Sequence, residues 1–316
     1  MKKWLGGIIA TMLSVVLLVG CAPEEKQSKV ATEGQEVTIR LGVMPSTDNI
    51  PFIIAQKEGY AKEQGVKLEL EVFKSANDRD AALQAGKLDG VITDLVAVAI
   101  YRQGDLDVKV VAAPYDQFDL VTNDEAKTVA DLKGKEVVFA ARTGTAYAID
   151  MMLKEAGLTR ADIKANEVPQ VSARLELLTN KKVAGAILPE PFVTMAKVDQ
   201  MTVVQSTRDI GINPFAIAFT TDFIDEQSDA IRGMFDAYNQ AVTYLETTDK
   251  SEYIELFIAE VGFPATLKEQ IEIPDYGKIE QVKVADIDSA FEWARQEELL
   301  KKELNGKDVI SHVYFN

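Results

Sequence analysis

The chain has 316 residues, 34 Lys and Arg against 50 Asp and Glu, a formal net charge of −16, one cysteine and one histidine. So acidic a balance excludes nucleic acid as a partner, because that surface needs a basic face, and it argues against docking of the folded surface on anionic lipid. A lone cysteine excludes an intramolecular disulfide; a lone histidine, His312, close to the end, excludes a Ser-His-Asp triad and a multi-histidine metal site and reads as structural.

Lys2 and Lys3 precede an almost unbroken apolar run over residues 5–19. A basic start followed by a short apolar run reads as a signal peptide, here residues 1–20. It is short for a bilayer-spanning helix, which needs about 20 apolar residues. The run ends in Leu18-Val19-Gly20-Cys21, which resembles the bacterial lipobox, whose cysteine is lipidated and becomes the mature N-terminus. That resemblance implies a lipid anchor on Cys21, holding the protein on the extracytoplasmic face of the cell membrane. The plainer alternative is a spare thiol. Residues 21–36 are polar and aperiodic and read as a flexible tether. Removing residues 1–20, which carry two lysines and no acid, takes the net charge from −16 to −18.

From Val37 strands and helices alternate. Residues 37–43 read as a strand, 45–49 as a polar loop, and 51–64 as one helix ended by Gly65. A half-exposed strand follows over 66–73, then a helix over 78–85, a strand over 88–92, a helix over 94–101 and a strand over 108–113. A second block has a strand over 136–140, a helix opening at residues 142–145 and running to 156, a strand over 164–168, a helix over 172–178 and a strand over 183–188. A strand over 215–219 then leads to long amphipathic helices over 229–245, 251–261 and 287–304. Strand–helix alternation predicts βαβ units and mostly parallel sheets, an α/β fold.

The blocks resemble each other. Residues 83–92, LQAGKLDGVI, align without gaps on residues 178–187, LTNKKVAGAI, with Leu, Lys, Gly and Ile coincident. Two similar lobes are therefore expected, with a cleft beyond the carboxyl ends of their strands.

The stretch from Gly42 to Gly65, GVMPSTDNIPFIIAQKEGYAKEQG, resembles the opening of the nitrate/taurine/sulfonate and thiamine-precursor binding proteins of ABC importers. Residues 82–90 (ALQAGKLDG), 131–135 (DLKGK), Gly144-Thr145 and Glu190-Pro191-Phe192 extend the resemblance over essentially the whole mature chain. It implies a type II periplasmic-binding-protein fold of two lobes on a two-stranded hinge, lobe one being residues 37–119 and 217–316 and lobe two 120–216. The crossings would fall near 119–122 and 213–218. It further implies a monomer that delivers a small molecule to permease and ATPase subunits, with no cofactor, no metal and no catalysis. Closure on a ligand requires that the ligand touch both lobes.

Ser46, Thr47, Asp48 and Asn49 lie between the first strand and its helix. These residue types cap helices, and the resemblance makes the loop the first candidate site as well. Arg142, Thr143, Gly144 and Thr145 form the equivalent loop of the second block. There Gly144 permits close backbone approach, and the helix start offers N–H groups to a polar or anionic group; Thr145 reads equally as a cap. Arg142 is the basic residue nearest this constellation, suited to clamp a carboxylate or sulfonate or to pair with an acid at the rim. Asp94 and Glu190 each follow a strand, a position serving capping and cleft equally. Pro189 and Pro191 flank Glu190, and Phe192 offers a stacking face. Tyr115, Asp116, Gln117 and Phe118, just before the first crossing, add two rings and an acid, or form a plain loop.

Carboxylates outnumber bases across these loops. That favours a nitrogen-rich ligand such as a thiamine-type pyrimidine or other heterocycle, with sulfonate, taurine or nitrate next. The competing readings are an enzyme on the same fold and a sensory or partner-binding lipoprotein. Against the enzyme, no G-x-x-x-x-G-K-[ST] or G-x-G-x-x-G motif is present, and export removes an enzyme from cytoplasmic cofactors.

Overall fold

The computed structural model describes residues 36–114 and 116–315. The leader, Cys21, residues 22–35 of the tether and Tyr115 lie outside the described residues. The first block runs β1 (Val37–Val43), α1 (Ile50–Lys57), α2 (Tyr60–Glu63), β2 (Val66–Val72), α3 (Ala76–Gln84), β3 (Gly90–Asp94), α4 (Leu95–Gln103) and β4 (Val108–Ala112). The single helix expected over 51–64 is two helices. Pro51 occupies the first turn of α1, where its missing N–H leaves no bond unmade. Gly59 then takes a left-handed φ of 83° and ends it. β3 is buried along its whole length, as a central strand covered on both faces must be.

The second block runs β5 (Asp119–Thr122), β6 (Glu136–Phe139), α5 (Gly144–Glu155), β7 (Lys164–Glu167), α6 (Val171–Thr179), β8 (Gly185–Leu188), α7 (Phe192–Val198) and β9 (Thr202–Ser206). β10 (Phe215–Thr220), α8 (Thr221–Thr247), α9 (Lys250–Leu256), α10 (Val284–Gln296) and α11 (Gly306–Val309) complete the chain. α8 is longer than expected because the Thr220 hydroxyl caps the Phe223 N–H; the backbone breaks at Gln227, close to where the amphipathic pattern begins. α10 stops at Gln296, short of residue 304, and Glu298 beyond it has a left-handed φ of 59°.

The two sheets have the same design, β2-β1-β3-β10-β4 and β7-β6-β8-β5-β9. Within each the first three strands are parallel, and the antiparallel strand, β10 or β5, is the one that arrives directly from the other lobe. The chain crosses outward between β4 and β5 and returns between β9 and β10. The crossings are tied together: the Phe118 N–H donates to Thr207 Oγ1 at 3.1 Å, and the Thr207 N–H donates to the Phe118 carbonyl at 2.9 Å.

One apolar core lies under α1 and α8 in the first lobe, another under α6 and α7 in the second. A third runs from α4 through α5 to α10 and joins the lobes behind the cleft. There Trp293 of α10 donates its indole N–H to Asp150 of α5 at 2.8 Å, and its ring meets Tyr147 edge-on at 5.9 Å. Among the described residues no helix is long and apolar enough to cross a membrane.

Candidate ligand-binding cleft

A cavity lies between the carboxyl ends of the two sheets, where an open α/β sheet leaves its strand-end loops free to face a ligand. It encloses about 680 Å3 outside protein atoms, part of it open to solvent. The first lobe lines it with Met44, Pro45, Ser46 and Asp48 after β1, Ala76 and Arg79 of α3, Ile92, Thr93 and Asp94 of β3, and Phe215. The second contributes Ala140, Thr143 and Thr145 around the start of α5, Pro169, Val171 and Arg174 around α6, and Pro189 after β8; Asp116 and Phe118 come from the outward crossing.

The loop after β1 divides its labour. Ser46 precedes a helical turn without capping it; its hydroxyl instead reaches across to Asp116 Oδ2 at 2.8 Å. Asp48 faces the cavity and is buried, with Oδ1 lacking a hydrogen-bond partner. Thr47 and Asn49 are buried but structural: the Thr47 carbonyl accepts the Tyr276 hydroxyl at 2.7 Å, and the Asn49 amide donates to the Met44 carbonyl at 2.6 Å. Burial, reinforced by Asp116 alongside, lifts the Asp48 carboxyl well above the usual carboxylate range. Burial likewise pushes Asp116 up to about 7, against the pull of the Ser46 hydroxyl and the Gln117 N–H. Two carboxyls so placed do not both ionise near neutrality, because each disfavours the charge of the other.

Asp94 is a helix cap that also bridges the lobes. Its Oδ1 accepts the Ala97 N–H at 2.9 Å at the start of α4. Burial raises its pKa, while the Ala97 N–H and the Gly144 N–H of the other lobe hold it down. A Cβ on Gly144 would lie 2.8 Å from Asp94 Cβ and 3.1 Å from the Phe118 ring, so the close approach requires glycine. Thr143 caps α5 by accepting the Thr145 N–H at 3.2 Å, and both hydroxyls bond the Ala140 backbone. Phe118 and Phe215, ring centroids 4.5 Å apart, supply the aromatic surface.

Three candidates stand elsewhere. Arg142 is exposed, on a left-handed turn with φ of 59°, and does not line the cavity. Glu190 turns into its own helix, its carboxylate accepting the Thr194 N–H and hydroxyl, each at 3.0 Å. Phe192 packs against the second-lobe core.

The arginines of the cavity are Arg79 and Arg174, which the loop-based reading missed. Arg79 is 3% exposed and each of its guanidinium nitrogens has a partner. Nε and Nη2 reach Asp80 Oδ1 at 3.0 and 2.8 Å, Nη2 also reaches Thr93 Oγ1 at 2.7 Å, and Nη1 donates to the Ile92 carbonyl at 2.9 Å. The Tyr101 hydroxyl closes the group by donating to Asp80. Arg174, also 3% exposed, donates from Nη1 to the Ile187 carbonyl at 2.6 Å, and its Nε has no partner. The signal was present in the repeat. The register that puts Leu83 on Leu178 puts Arg79 on Arg174 and Ile92 on Ile187, and α3 on α6 end to end.

Comparison with known proteins bears on the family and the fold. The model of the NMT1-like family matches residues 32–259. The riboflavin-binding protein RibY of Chloroflexus aurantiacus is 26% identical over 142 residues, which span 42% of this chain and 40% of that relative's length. The aliphatic sulphonate binding protein SsuA of Escherichia coli superposes with a TM-score of 0.73 at 16% identity, over 87% of this chain and 92% of its own. A desulfurization enzyme, DSZB, shares the fold with a TM-score of 0.63 at 11% identity, over 87% and 96%.

Proposed function

The chain belongs to the NMT1-like family, and from that premise we propose that it is the extracytoplasmic substrate-binding lipoprotein of an ABC importer. The observation that carries this reading is the cavity itself, buried between two lobes of the same design and lined by polar side chains from both. A ligand that touches both lobes favours their closed arrangement, and closure is the signal a permease can recognise. The moving bodies are β1–β4 together with the chain from β10 onward, and β5–β9, pivoting on the paired crossings between them. Cys21 carries the lipid that retains the protein at the membrane face, and permease and ATPase subunits complete the importer.

A nitrogen-bearing heterocycle suits the first-lobe side of the cleft. Asp48 and Asp116 accept N–H donors there, and Phe118 and Phe215 offer ring faces. The riboflavin recorded in RibY's name and the sulphonate in SsuA's set the compounds to try first. The enzyme reading has less support: the only histidine, His312, is exposed and bonds Gln281 at 3.0 Å, leaving no imidazole in the cleft to act as a base.

The test is a thermal-shift screen with thiamine and its pyrimidines, flavins, taurine, alkanesulfonates, nitrate and amino acids. A ligand at a hundredfold excess over Kd adds about 2.7 kcal/mol of stability, several degrees in Tm for a fold of this size. A single-compound hit is expected. The reading fails if nothing shifts Tm and mass spectrometry of the denatured protein finds no co-purified small molecule. Separately, Cys21→Ala is expected to release the protein from membranes; continued membrane partitioning would remove the anchor.

A further inference from the structure

The two arginines of the cleft occupy equivalent positions in the repeat, 95 residues apart. Each donates Nη1 to the carbonyl of the equivalent strand residue, Ile92 or Ile187. That shared bond is the structural part of the motif. What surrounds it differs. The places of Asp80, Thr93 and Tyr101 around Arg79 are taken at the same register by Leu175, Leu188 and Ala196. The first guanidinium is neutralised by Asp80 inside its own lobe, whereas the second donates to the Ile187 carbonyl and, among the described residues, its Nε has no partner.

No carboxylate pairs with Arg174 among the described residues, and burial pushes its pKa down to about 10 with no acid to offset the effect. It therefore remains a cation at neutral pH. Burying such a charge without a partner is costly, and the helix–strand bond to Ile187 does not need a full charge to be made. A buried, protonated, planar donor that lines a cleft is complementary to one class of group above others: a carboxylate, sulfonate or phosphate, which two of its N–H groups can grip together.

We infer that the ligand of this cleft carries an acidic group, and that Arg174 is the residue that receives it. This rests on the binding-protein reading and narrows it. The ligand has two unlike ends, one that donates hydrogen bonds to Asp48 and Asp116 on the first lobe, and one that accepts them from Arg174 on the second. Asp48 follows β1 of the first lobe and Asp116 lies on the outward crossing, whereas Arg174 stands on α6 of the second lobe, so the donor and acidic ends are received by different parts of the cleft. Because the ends contact different lobes, such a ligand draws the lobes together, and a compound with only one end leaves one lobe unsatisfied.

The experiment uses the full chain purified in detergent and probes matched in all but the acidic group: thiamine and thiamine monophosphate, riboflavin and riboflavin 5′-phosphate, ethanolamine and taurine. Acetate, methanesulfonate and inorganic phosphate, at constant ionic strength, serve as minimal anions and separate the three acid chemistries. Calorimetric titration is expected to show at least one acidic probe binding tenfold or more tightly than its counterpart, or a minimal anion binding where chloride does not. Arg174→Gln is expected to erase that preference and Arg174→Lys to keep part of it. Without any probe, Arg174→Met is expected to fold with an unchanged or higher Tm, which a purely structural arginine would not allow.

The inference is overturned if Arg174→Gln binds acidic probes as well as the native protein does, or if no acidic probe outbinds its counterpart. If organic probes bind equally to both proteins, the importer reading stands and the role of Arg174 falls. If minimal anions bind through Arg174 while no organic compound binds, the reverse holds.

Discussion

Arg79 and Arg174 are one residue of an internal repeat met twice, and the two lobes have treated it in opposite ways. In the first lobe Asp80 and Thr93 accept from the guanidinium, and the Tyr101 hydroxyl donates to Asp80 behind it. In the second, apolar residues stand at those places and one carbonyl remains. Same helix, same strand, same depth: what differs is whether the charge is answered within the chain. A fold stabilises itself by answering buried charges and leaves unanswered those that something else is to meet.

The largest expected effect tests the answered side. Arg79→Met strands Asp80, Thr93 and Tyr101 without their cation, and breaking a buried pair in this way costs about 3–5 kcal/mol, read as a lower denaturant midpoint. Arg174→Met is expected to go the other way or nowhere. Its pKa near 10 corresponds to roughly 3 kcal/mol of disfavoured charge, partly offset by the lost bond to Ile187. Equal destabilisation by the two substitutions would end the comparison.

The next effect concerns the opposite face of the cleft. Burial raises Asp116 to about 7 and Asp48 well above the ordinary range, so the folded state binds more protons than the unfolded chain between about pH 4 and 7. The contribution of these two carboxyls to stability without ligand is therefore full below about pH 4 and declines as pH rises through 7. Asp116→Asn is expected to remove roughly 2 kcal/mol or more of that decline, measured by chemical denaturation at several pH values. A slope unchanged by the substitution would show that these carboxyls ionise as free ones do.

A third substitution copies the first lobe's solution into the second. Leu175→Asp puts a carboxylate at the position equivalent to Asp80, beside Arg174. The fold should survive, at a cost of about 1–3 kcal/mol for the lost apolar side chain. Binding of acidic probes should fall at least tenfold, about 1.4 kcal/mol, since the arginine would then be answered from within. Retained affinity would mean that Asp80 is not what silences Arg79.

How much of this was legible in the sequence depends on the distance over which the signal acts. Strand–helix alternation and the short repeat carry the two-lobe design, because both are local patterns. Ser46, Asp48, Asp94, Thr143 and Thr145 could be placed near the cleft because they follow strands. Arg142 and Glu190 satisfy the same rule and yet sit elsewhere, one on a left-handed turn facing solvent, the other folded back as a helix cap. Backbone turns and side-chain rotamers made that difference, and neither is written in the spacing. The short strand β5 and the half-exposed β9 carry too little alternation to be seen. Arg79 and Arg174 were within reach, four residues upstream of the aligned repeat, but they lie on helices and an eye kept on loops passes over them.

The smallest expected effect asks whether the two halves of the cleft must meet as closely as they do. The lobes touch where Gly144 of α5 lies against Asp94 at the start of α4, and an added methyl there would stand 2.8 Å from Asp94 Cβ. That separation is far inside van der Waals contact, and neither neighbour is a flexible chain end: Asp94 is fixed by the Ala97 N–H and Phe118 by Phe215. Gly144→Ala must therefore move one lobe relative to the other. Gly144 sits at a helix start with an ordinary φ, so the backbone tolerates alanine and Tm should change by no more than a few degrees. The lobes should open slightly, visible as a larger radius of gyration by small-angle scattering. A ligand gripped at Arg174 on one side and at Asp48 on the other should lose about 1 kcal/mol of affinity as its two contacts are drawn apart. If affinity is untouched while the scattering changes, the ligand is held by one lobe alone, and the unanswered charge on Arg174 needs another explanation.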